Sequence, residues 1–269
     1  MKKAVVIFSG GIDSALVACL AVDALGSDNV YLVSMPSRFS SDHSKSDAKK
    51  LASNLNTNFD TIDIDGLFGK YLDTLDEKFK GTESNVAEEN IQSRLRGLLL
   101  MAMSNKFGEM LLTTGNKSEV AVGYSTIYGD MSGGYNPLKD LYKTKVFEIS
   151  RWRNLNHRSW MLGSSGVIIP ETILTKAPTA ELRDNQKDQD SLPDYEVLDA
   201  ILMAFIDDEK SVAEIVKMGF DRKIVKDIED LIYKSEYKRY QSAPGTKLSG
   251  RAFWLDRRYP IANKWRDNS

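Results

Sequence analysis

The sequence has almost no cysteine: one thiol, Cys19, in 269 residues. That excludes an internal disulfide framework and any thiolate metal cluster. No apolar run approaches the length of a membrane span, so no membrane association is expected. The first apolar run, Ala4 to Phe8, is too short for a signal peptide and leads straight into a glycine turn. With a lone cysteine, a cytoplasmic setting is the default expectation. Neither sign of charge dominates: 36 Lys and Arg stand against 38 Asp and Glu, for a net charge of −2. Such a balance gives no reason to expect nucleic acid as a partner. Also missing are the Walker pattern Gly-x-x-x-x-Gly-Lys-Ser/Thr and the dinucleotide pattern Gly-x-Gly-x-x-Gly. Internal repeats and low-complexity tracts are absent.

What is present is ordinary in bulk and specific in place. The length allows one large domain or two small ones, and 42% apolar content can fill the core. The most informative stretch is Val5-Val6-Ile7-Phe8-Ser9-Gly10-Gly11-Ile12-Asp13-Ser14. It reads as a strand, a glycine turn and the start of a helix over about 14–25. Backbone N–H groups of the turn and the positive end of the helix converge there, which makes an anion cradle suited to phosphate. Two glycines let the backbone approach a ligand closely. Asp13 places a carboxylate where a phosphate-bridging Mg²⁺ takes an oxygen ligand. The bland alternative is an ordinary strand–helix turn. Cys19, inside that helix, reads as a small core residue.

Strands at about 29–36, 59–64 and 109–113 alternate with helices at 44–55, 66–78 and 87–106. This alternation predicts a parallel sheet wrapped by helices. Asp42 is the expected cap of the second helix, with His43 solvated in its first turn. On the long helix, Ile91, Leu95, Leu98 and Ala102 recur at helical spacing and predict the buried stripe. Arg94 then lies near that stripe and Arg96 on a more exposed side. A second glycine turn, Thr114-Gly115-Asn116-Lys117-Ser118-Glu119, follows the fourth strand. Gly123 to Pro137 is a long irregular segment, the kind that usually carries function. Trp152, Trp160 and Val167-Ile168-Ile169 are expected partly in the core. Beyond Pro170 the character changes: a polar, charged stretch over 175–190, helices at 194–205, 211–218 and 221–234, then a basic aromatic tail from Tyr237.

Residues 9–14, Ser-Gly-Gly-Ile-Asp-Ser, resemble the signature of the PP-loop ATP pyrophosphatases. Four further strings, in order along nearly the whole chain, resemble the NAD synthetases of that superfamily. They are Arg94-Leu95-Arg96; residues 114–119 with 123–130; Lys176-Ala177-Pro178-Thr179-Ala180-Glu181-Leu182; and Glu236-Tyr237-Lys238-Arg239. Leu192-Pro193-Asp194-Tyr195 looks more like the synthetase domain of the glutamine-dependent enzymes. The resemblance implies a three-layer, Rossmann-like α/β fold with a parallel sheet of about five strands. It implies one synthetase-type domain: an ATP-binding core over 1–170, a mobile loop over 171–191, and a helical appendage with a basic tail over 192–269.

The implied reaction converts nicotinic acid adenine dinucleotide (deamido-NAD) to NAD through an acyl-adenylate, with release of pyrophosphate and AMP. Carried over residue by residue, Ile7, Phe8, Ser9, Gly10, Gly11, Ile12, Asp13 and Ser14 contact ATP, with Thr114, Lys143 and Thr179. Asp13 and Lys143 are the implied catalytic pair, and Asp13 and Glu119 the implied Mg²⁺ ligands. Two helix-terminal carboxylates helped by the dipole are the bland reading of that pair. Arg94, Tyr237 and Lys238 are implied contacts of deamido-NAD. A lysine and an aspartate used by the shorter bacterial enzymes fall here at Ile127 and Gly134. No helical segment precedes the first strand, which leaves the expected homodimer's interface less defined. No stretch resembles a glutaminase domain, so free ammonia is the expected nitrogen source unless a separate subunit delivers it. Two alternatives remain open at this point: another PP-loop adenylating ligase with a different acceptor, and a non-catalytic adenine-nucleotide sensor.

Overall fold

The structure is a computed structural model and describes residues 3–269. Its centre is a parallel sheet of four strands: β1 (Ala4–Ile7), β2 (Val30–Ser34), β3 (Asn58–Thr61) and β4 (Met110–Leu112), in the order β3-β2-β1-β4. About five strands are expected from the sequence. At the fifth place, beyond β4, the chain makes only a single parallel bridge between Leu112 and Tyr135. Gly133 and Gly134 precede it, and Gly133 has φ +154 and sits against the Leu111 carbonyl and Thr113. Adjacent glycines, one of them in that conformation, do not propagate a ladder.

Alternation along the strands sorts the core into two faces. Ala4, Val6, Phe8, Val30 and Leu32 pack on one side with helices α1 (Ile12–Leu25), α2 (Asp42–Leu55), α6 (Lys143–Leu155) and α7 (Glu171–Thr175). Val5, Val33 and Leu111 pack on the other with α4 (Val86–Phe107), while α3 (Asp65–Phe79) lies against α4. This is the three-layer α/β arrangement. The order of strands reverses between β1 and β4, so the crevice beyond their C-terminal ends is the expected ligand position. A second apolar cluster joins α5 (Lys117–Val122) to α8 (Tyr195–Ile206), α9 (Val212–Lys217) and α10 (Arg222–Lys234). The short α11 (Glu236–Tyr240) follows. The helical appendage is thus fused to the core through the element that follows β4.

Three expectations need correction. On α4, Leu98 is 67% exposed and Ala102 is exposed too. The buried seam runs instead through Ile91, Gln92, Ser93, Leu95, Gly97 and Leu100. It is rotated because the 126–132 segment crosses α4 there: a Cβ at Gly97 would lie 2.8 Å from the Gly129 carbonyl. Small and polar side chains mark that crossing, and a search for apolar spacing passes over them. The cap of α2 is Ser41, whose side chain accepts from the Ser44 N–H, and not Asp42. Ile168 and Ile169 are buried, but Trp152, Trp160 and Val167 are exposed.

Two helices carry most of what matters downstream. Near the C-terminal end of α1, Asp23 receives Nε and Nη2 of Arg153 on α6 at 2.6 and 2.8 Å, both side chains 3% exposed. Ten residues earlier on each helix, Asp13 pairs with Lys143. Equal spacing means that α1 and α6 run parallel and in register, clamped at both ends over roughly 15 Å. Removing one member of a buried pair leaves its partner charged and unpaired. Arg153→Met is therefore expected to lower unfolding free energy by about 3–5 kcal/mol, read by denaturant titration; an unchanged midpoint would refute the clamp.

Cys19 is fully buried in α1, and burial pushes its thiol up to about 12. A thiol that is neither exposed nor ionised does not react. A disulfide reagent at mildly alkaline pH should leave the folded protein unlabelled and modify one thiol per chain in guanidinium. Rapid labelling without denaturant would contradict the packing.

Candidate active site

The crevice between β1 and β4 opens into a cleft of about 250 Å³. Ser9 to Gly11 form its floor. Gly10 has φ +82, and a Cβ there would fall 2.5 Å from the Ser44 carbonyl of α2. Only glycine satisfies both constraints. Ser14 Oγ donates to the Gly11 carbonyl at 2.9 Å and lies 3.2 Å from Ser9 Oγ, which fixes the turn from within. Asp13 stands in the first turn of α1 and faces the second glycine turn.

That second turn is held by reciprocal capping. The Asn116 side chain accepts from the Glu119 N–H at 3.0 Å, and the Glu119 carboxylate accepts from the Asn116 N–H at 3.3 Å. The Asn116 amide then donates to Asp13 Oδ1 at 2.9 Å. Both carboxylates turn to one point, where Lys143 Nζ sits 2.5 Å from Asp13 Oδ2 and 3.1 Å from Glu119 Oε1. The ammonium also lies 5.0 Å from the centre of the Tyr195 ring. Burial works against the charge of Lys143. Asp13 and then Glu119 outweigh it, so its pKa stands above the ordinary lysine value. Burial pushes Glu119 up to about 8, against the pull of Lys143.

The appendage sets where Lys143 stands. Asp199 on α8 is fully buried; it accepts from Ser118 Oγ and from the Thr144 N–H at 2.8 Å. Ser118 Oγ accepts in turn from the Lys143 N–H at 2.9 Å. One carboxylate from the helical appendage thus pins the starts of α5 and α6, which bear Glu119 and Lys143. Nearby, the buried Lys117 ammonium binds Asp140 at 3.2 Å, Ser249 Oγ at 2.7 Å and the Arg251 carbonyl at 2.8 Å. Asp140 receives the N–H groups of Leu248 and Ser249 at 2.7 and 2.6 Å. The tail is fastened to the core by polar bonds to a buried charge.

The stretch 175–190 lies over the cleft. Glu181 Oε1 accepts from Ser41 Oγ, Ser44 Oγ and Lys176 Nζ at 2.8, 2.8 and 2.7 Å. Burial would raise this carboxyl, but Lys176 and the two serines hold it below its usual value. Thr179 lines the cleft, its Oγ1 donating to the Gln186 carbonyl at 2.6 Å. Thr114 lines the opposite wall.

Of the residues singled out in the sequence, 7–14, Thr114, Glu119, Lys143, Thr179 and Lys238 all border this one cleft. Lys238 donates to the carbonyls of Gly123 and Ser125 at 2.6 and 2.7 Å. Arg94 and Tyr237 do not line it: both are exposed, and Arg94 Nε donates to the Ile127 carbonyl at 3.2 Å. Arg96 reverses its expected place. It lines the cleft, donates to the Met35 carbonyl at 2.9 Å, and is lowered to about 10 by burial. Asn116, Asp188 and Asp199 were not distinguished by the sequence. For Asn116 a signal exists, the Asn-x-x-Glu spacing of a capping box. The other two are single carboxylates in charged or helical stretches and carry no local signature.

Mg²⁺ suits this donor set. It binds through one or two carboxylates and completes its shell with water and phosphate oxygens. Asp13 and Glu119 supply two carboxylates facing one point. Among the described residues no group of three or more His, Cys, Asp or Glu gathers into an all-protein metal cage.

A strand–glycine-turn–helix cradle, two facing carboxylates and a buried ammonium thus meet in one cleft. The chain is 62% identical over 268 residues to the glutamine-dependent NAD(+) synthetase of Rhodobacter capsulatus, covering all of this chain and 49% of that protein. It spans about half the length of the curated relatives it matches. The ADP-bound structure of glutamine-dependent NAD+ synthetase from Acinetobacter baumannii superimposes with a TM-score of 0.62 at 42% identity, covering 100% of this chain and 47% of that one. NMN synthetase from Francisella tularensis superimposes with a TM-score of 0.72 at 28% identity, covering 88% and 87% of the two chains. The family model described as NAD synthase matches residues 1–242. With its phosphate cradle and both glycine turns inside that match, the chain belongs to the NAD synthase family.

Proposed function

We propose that the chain catalyses ATP-dependent amidation of deamido-NAD to NAD, with ammonia as the attacking nucleophile. The observation that carries this reading is the Lys143 ammonium held between Asp13 and Glu119 at the mouth of the Ser9–Ser14 cradle. Activation of an α-phosphate needs such a cation.

The chemistry follows from charge. A carboxylate is a poor amide precursor because oxide leaves badly. Its oxygen attacks the α-phosphorus of ATP, the bond to the β-phosphate oxygen breaks, and pyrophosphate departs; the carboxyl is left joined to AMP. Both reactants are anions, so the step needs positive charge at the phosphates. Lys143 supplies it, and the N–H groups of residues 9–11 receive the pyrophosphate. Bound at Asp13 and Glu119, Mg²⁺ would supply further charge neutralisation. Thr114 and Thr179 bind ATP from the two walls; Arg94, Tyr237 and Lys238 receive deamido-NAD. Closure of the 171–191 loop shields the adenylate from water. Ammonia then attacks the acyl carbon and AMP leaves.

Ammonia is the proposed nitrogen source because the residues that line this cleft include no cysteine to release it from an amide. Homodimerisation is part of the same reading, supported by the exposed apolar Leu98 and Phe107 on α4. The setting is cytoplasmic on this reading.

Incubation with ATP, Mg²⁺, deamido-NAD and ammonium should yield AMP, pyrophosphate and NAD in equal amounts. Absence of AMP formation on addition of deamido-NAD would sink the proposal, and ADP in its place would sink the phosphate chemistry. A mononucleotide substrate used in preference would reassign the acceptor. Glutamine supporting an equal rate would refute direct use of ammonia.

The site residues make a separate prediction. Asp13→Ala should abolish turnover in a protein that still folds, with its thermal midpoint lowered because the buried Lys143 loses a partner, and chelation of Mg²⁺ should abolish turnover reversibly. Lys143→Met should lower kcat by about 10²–10³, the cost of losing one preorganised charge at the transition state. Near-normal turnover in either variant would show the role to be misassigned.

A further inference from the structure

A lysine beside the phosphate cradle has no work in the scheme above. β1 lies between β2 and β4, so the turn that follows it has two flanks. Asp13, Glu119 and Lys143 all meet on the β4 flank. The β2 flank belongs to the start of α2. There the Ser44 carbonyl oxygen and Cα press on Gly10, at 2.5 and 2.9 Å from where a Cβ would stand. The hydroxyl of that same Ser44 accepts from Lys176 Nζ at 2.6 Å. A single residue therefore separates this ammonium from the cradle's central glycine, and Lys176 lines the same cleft.

The lysine belongs to the body of the domain and its partner to the loop. Lys176 ends α7, where its N–H donates to the Thr172 carbonyl at 3.0 Å. Glu181, five residues on, meets the ammonium at 2.7 Å. It does so with φ +49, a left-handed conformation that is strained for a residue with a side chain. The pair is not sealed from solvent: the two side chains are 28% and 16% exposed. Nor does the carboxylate depend on it. Glu181 also accepts from Ser41 Oγ and Ser44 Oγ at 2.8 Å each and from the Ser41 N–H at 3.3 Å. These donors lie at the positive end of α2, which favours an anion by itself. The ammonium can thus change partner while the carboxylate stays hydrogen-bonded.

The reaction brings a rival anion to that place. As the bond from the α-phosphorus breaks, charge gathers on the departing pyrophosphate. Only backbone N–H groups have been assigned to that end, and a lysine is a compact point charge suited to phosphate. We propose that Lys176 is a further phosphate-binding residue, which exchanges Glu181 for the β- and γ-phosphates of ATP and holds the pyrophosphate as it forms. This rests on the adenylation reading of the cleft. One lysine then stands on each flank of the cradle. The exchange also removes one tie between the loop and the domain beneath it, and relieves the need for the left-handed backbone at Glu181.

Titration of the purified chain with Mg²⁺-pyrophosphate and, separately, with AMP reads the two ends of the cleft. A parent protein that binds neither would overturn the adenylation reading itself. In Lys176→Met the Kd for pyrophosphate should rise by about tenfold or more, the loss of one charge-assisted hydrogen bond. The Kd for AMP should stay at the parent value. Glu181→Gln removes the resting partner and should tighten pyrophosphate by about threefold, the worth of a partly exposed ion pair. That gain should disappear in the Lys176→Met background. An unchanged pyrophosphate Kd in Lys176→Met would overturn the proposal, and so would an equal loss for AMP, which would show only a misplaced loop. Absence of a gain in Glu181→Gln would overturn it too, as would a gain that persists without Lys176, the mark of plain repulsion by the carboxylate. Should Lys176→Met not fold, Lys176→Gln decides the matter by the same titrations.

Discussion

The contact between the Lys143 ammonium and the carboxylates of Asp13 and Glu119 organises this molecule. A buried lysine is tolerable only if its charge is matched. The match draws three separate parts of the chain to one point: the first helix, the turn after the last strand, and the start of α6. Every other feature of the site keeps that point fixed. Asn116 restrains Asp13, Ser118 and Asp199 restrain the backbone of Lys143, and the Asp23–Arg153 pair stops α1 and α6 from sliding. Two carboxylates thus face one ammonium, each held by groups from a different element.

Much of this was legible in the sequence, for a physical reason. Glycine at 10 marks backbone that turns sharply and is approached closely, and glycine at 115 opens the second strand–helix turn. The order of strands and helices then puts both turns at one end of a parallel sheet. Local patterns of this kind survive without any knowledge of tertiary contacts. Arg96 and Leu98 show where local reading stops. Apolar spacing on α4 points to Leu98, yet a crossing loop at Gly129 rotates the helix so that Leu98 faces outward and Arg96 faces the cleft. The decisive contact comes from a segment some thirty residues away, and no helical period encodes it. Asp188 and Asp199 fail for the same reason: a carboxylate's meaning lies in what it is buried against.

The loop over the cleft is held mainly by polar groups. Glu181 sits at the start of α2 among Ser41, Ser44 and Lys176, while the Ser44 carbonyl presses on Gly10. The cradle and the cover therefore share a wall. Contacts of this type form and break with little change in buried apolar area, which is compatible with the closure proposed for this loop. The rigid pair of helices beneath it has the opposite character.

The buried Lys117 gives the architecture a temporal consequence. Its partners come from Asp140, Asp207, Ser249 and Arg251, and Asp140 also takes the N–H groups of Leu248 and Ser249. Until residues 248–251 are in place, a buried ammonium in the same helix as Glu119 lacks two of its hydrogen-bond acceptors. The 9–14 turn precedes these residues by more than two hundred positions, and the turn facing it is fully bonded only once they are seated. Contacts so distant in sequence form late in folding. The two facing turns therefore mature at different times: residues 9–14 close through bonds to their own neighbours, while residues 114–119 gain their full set of contacts only with the 248–251 segment.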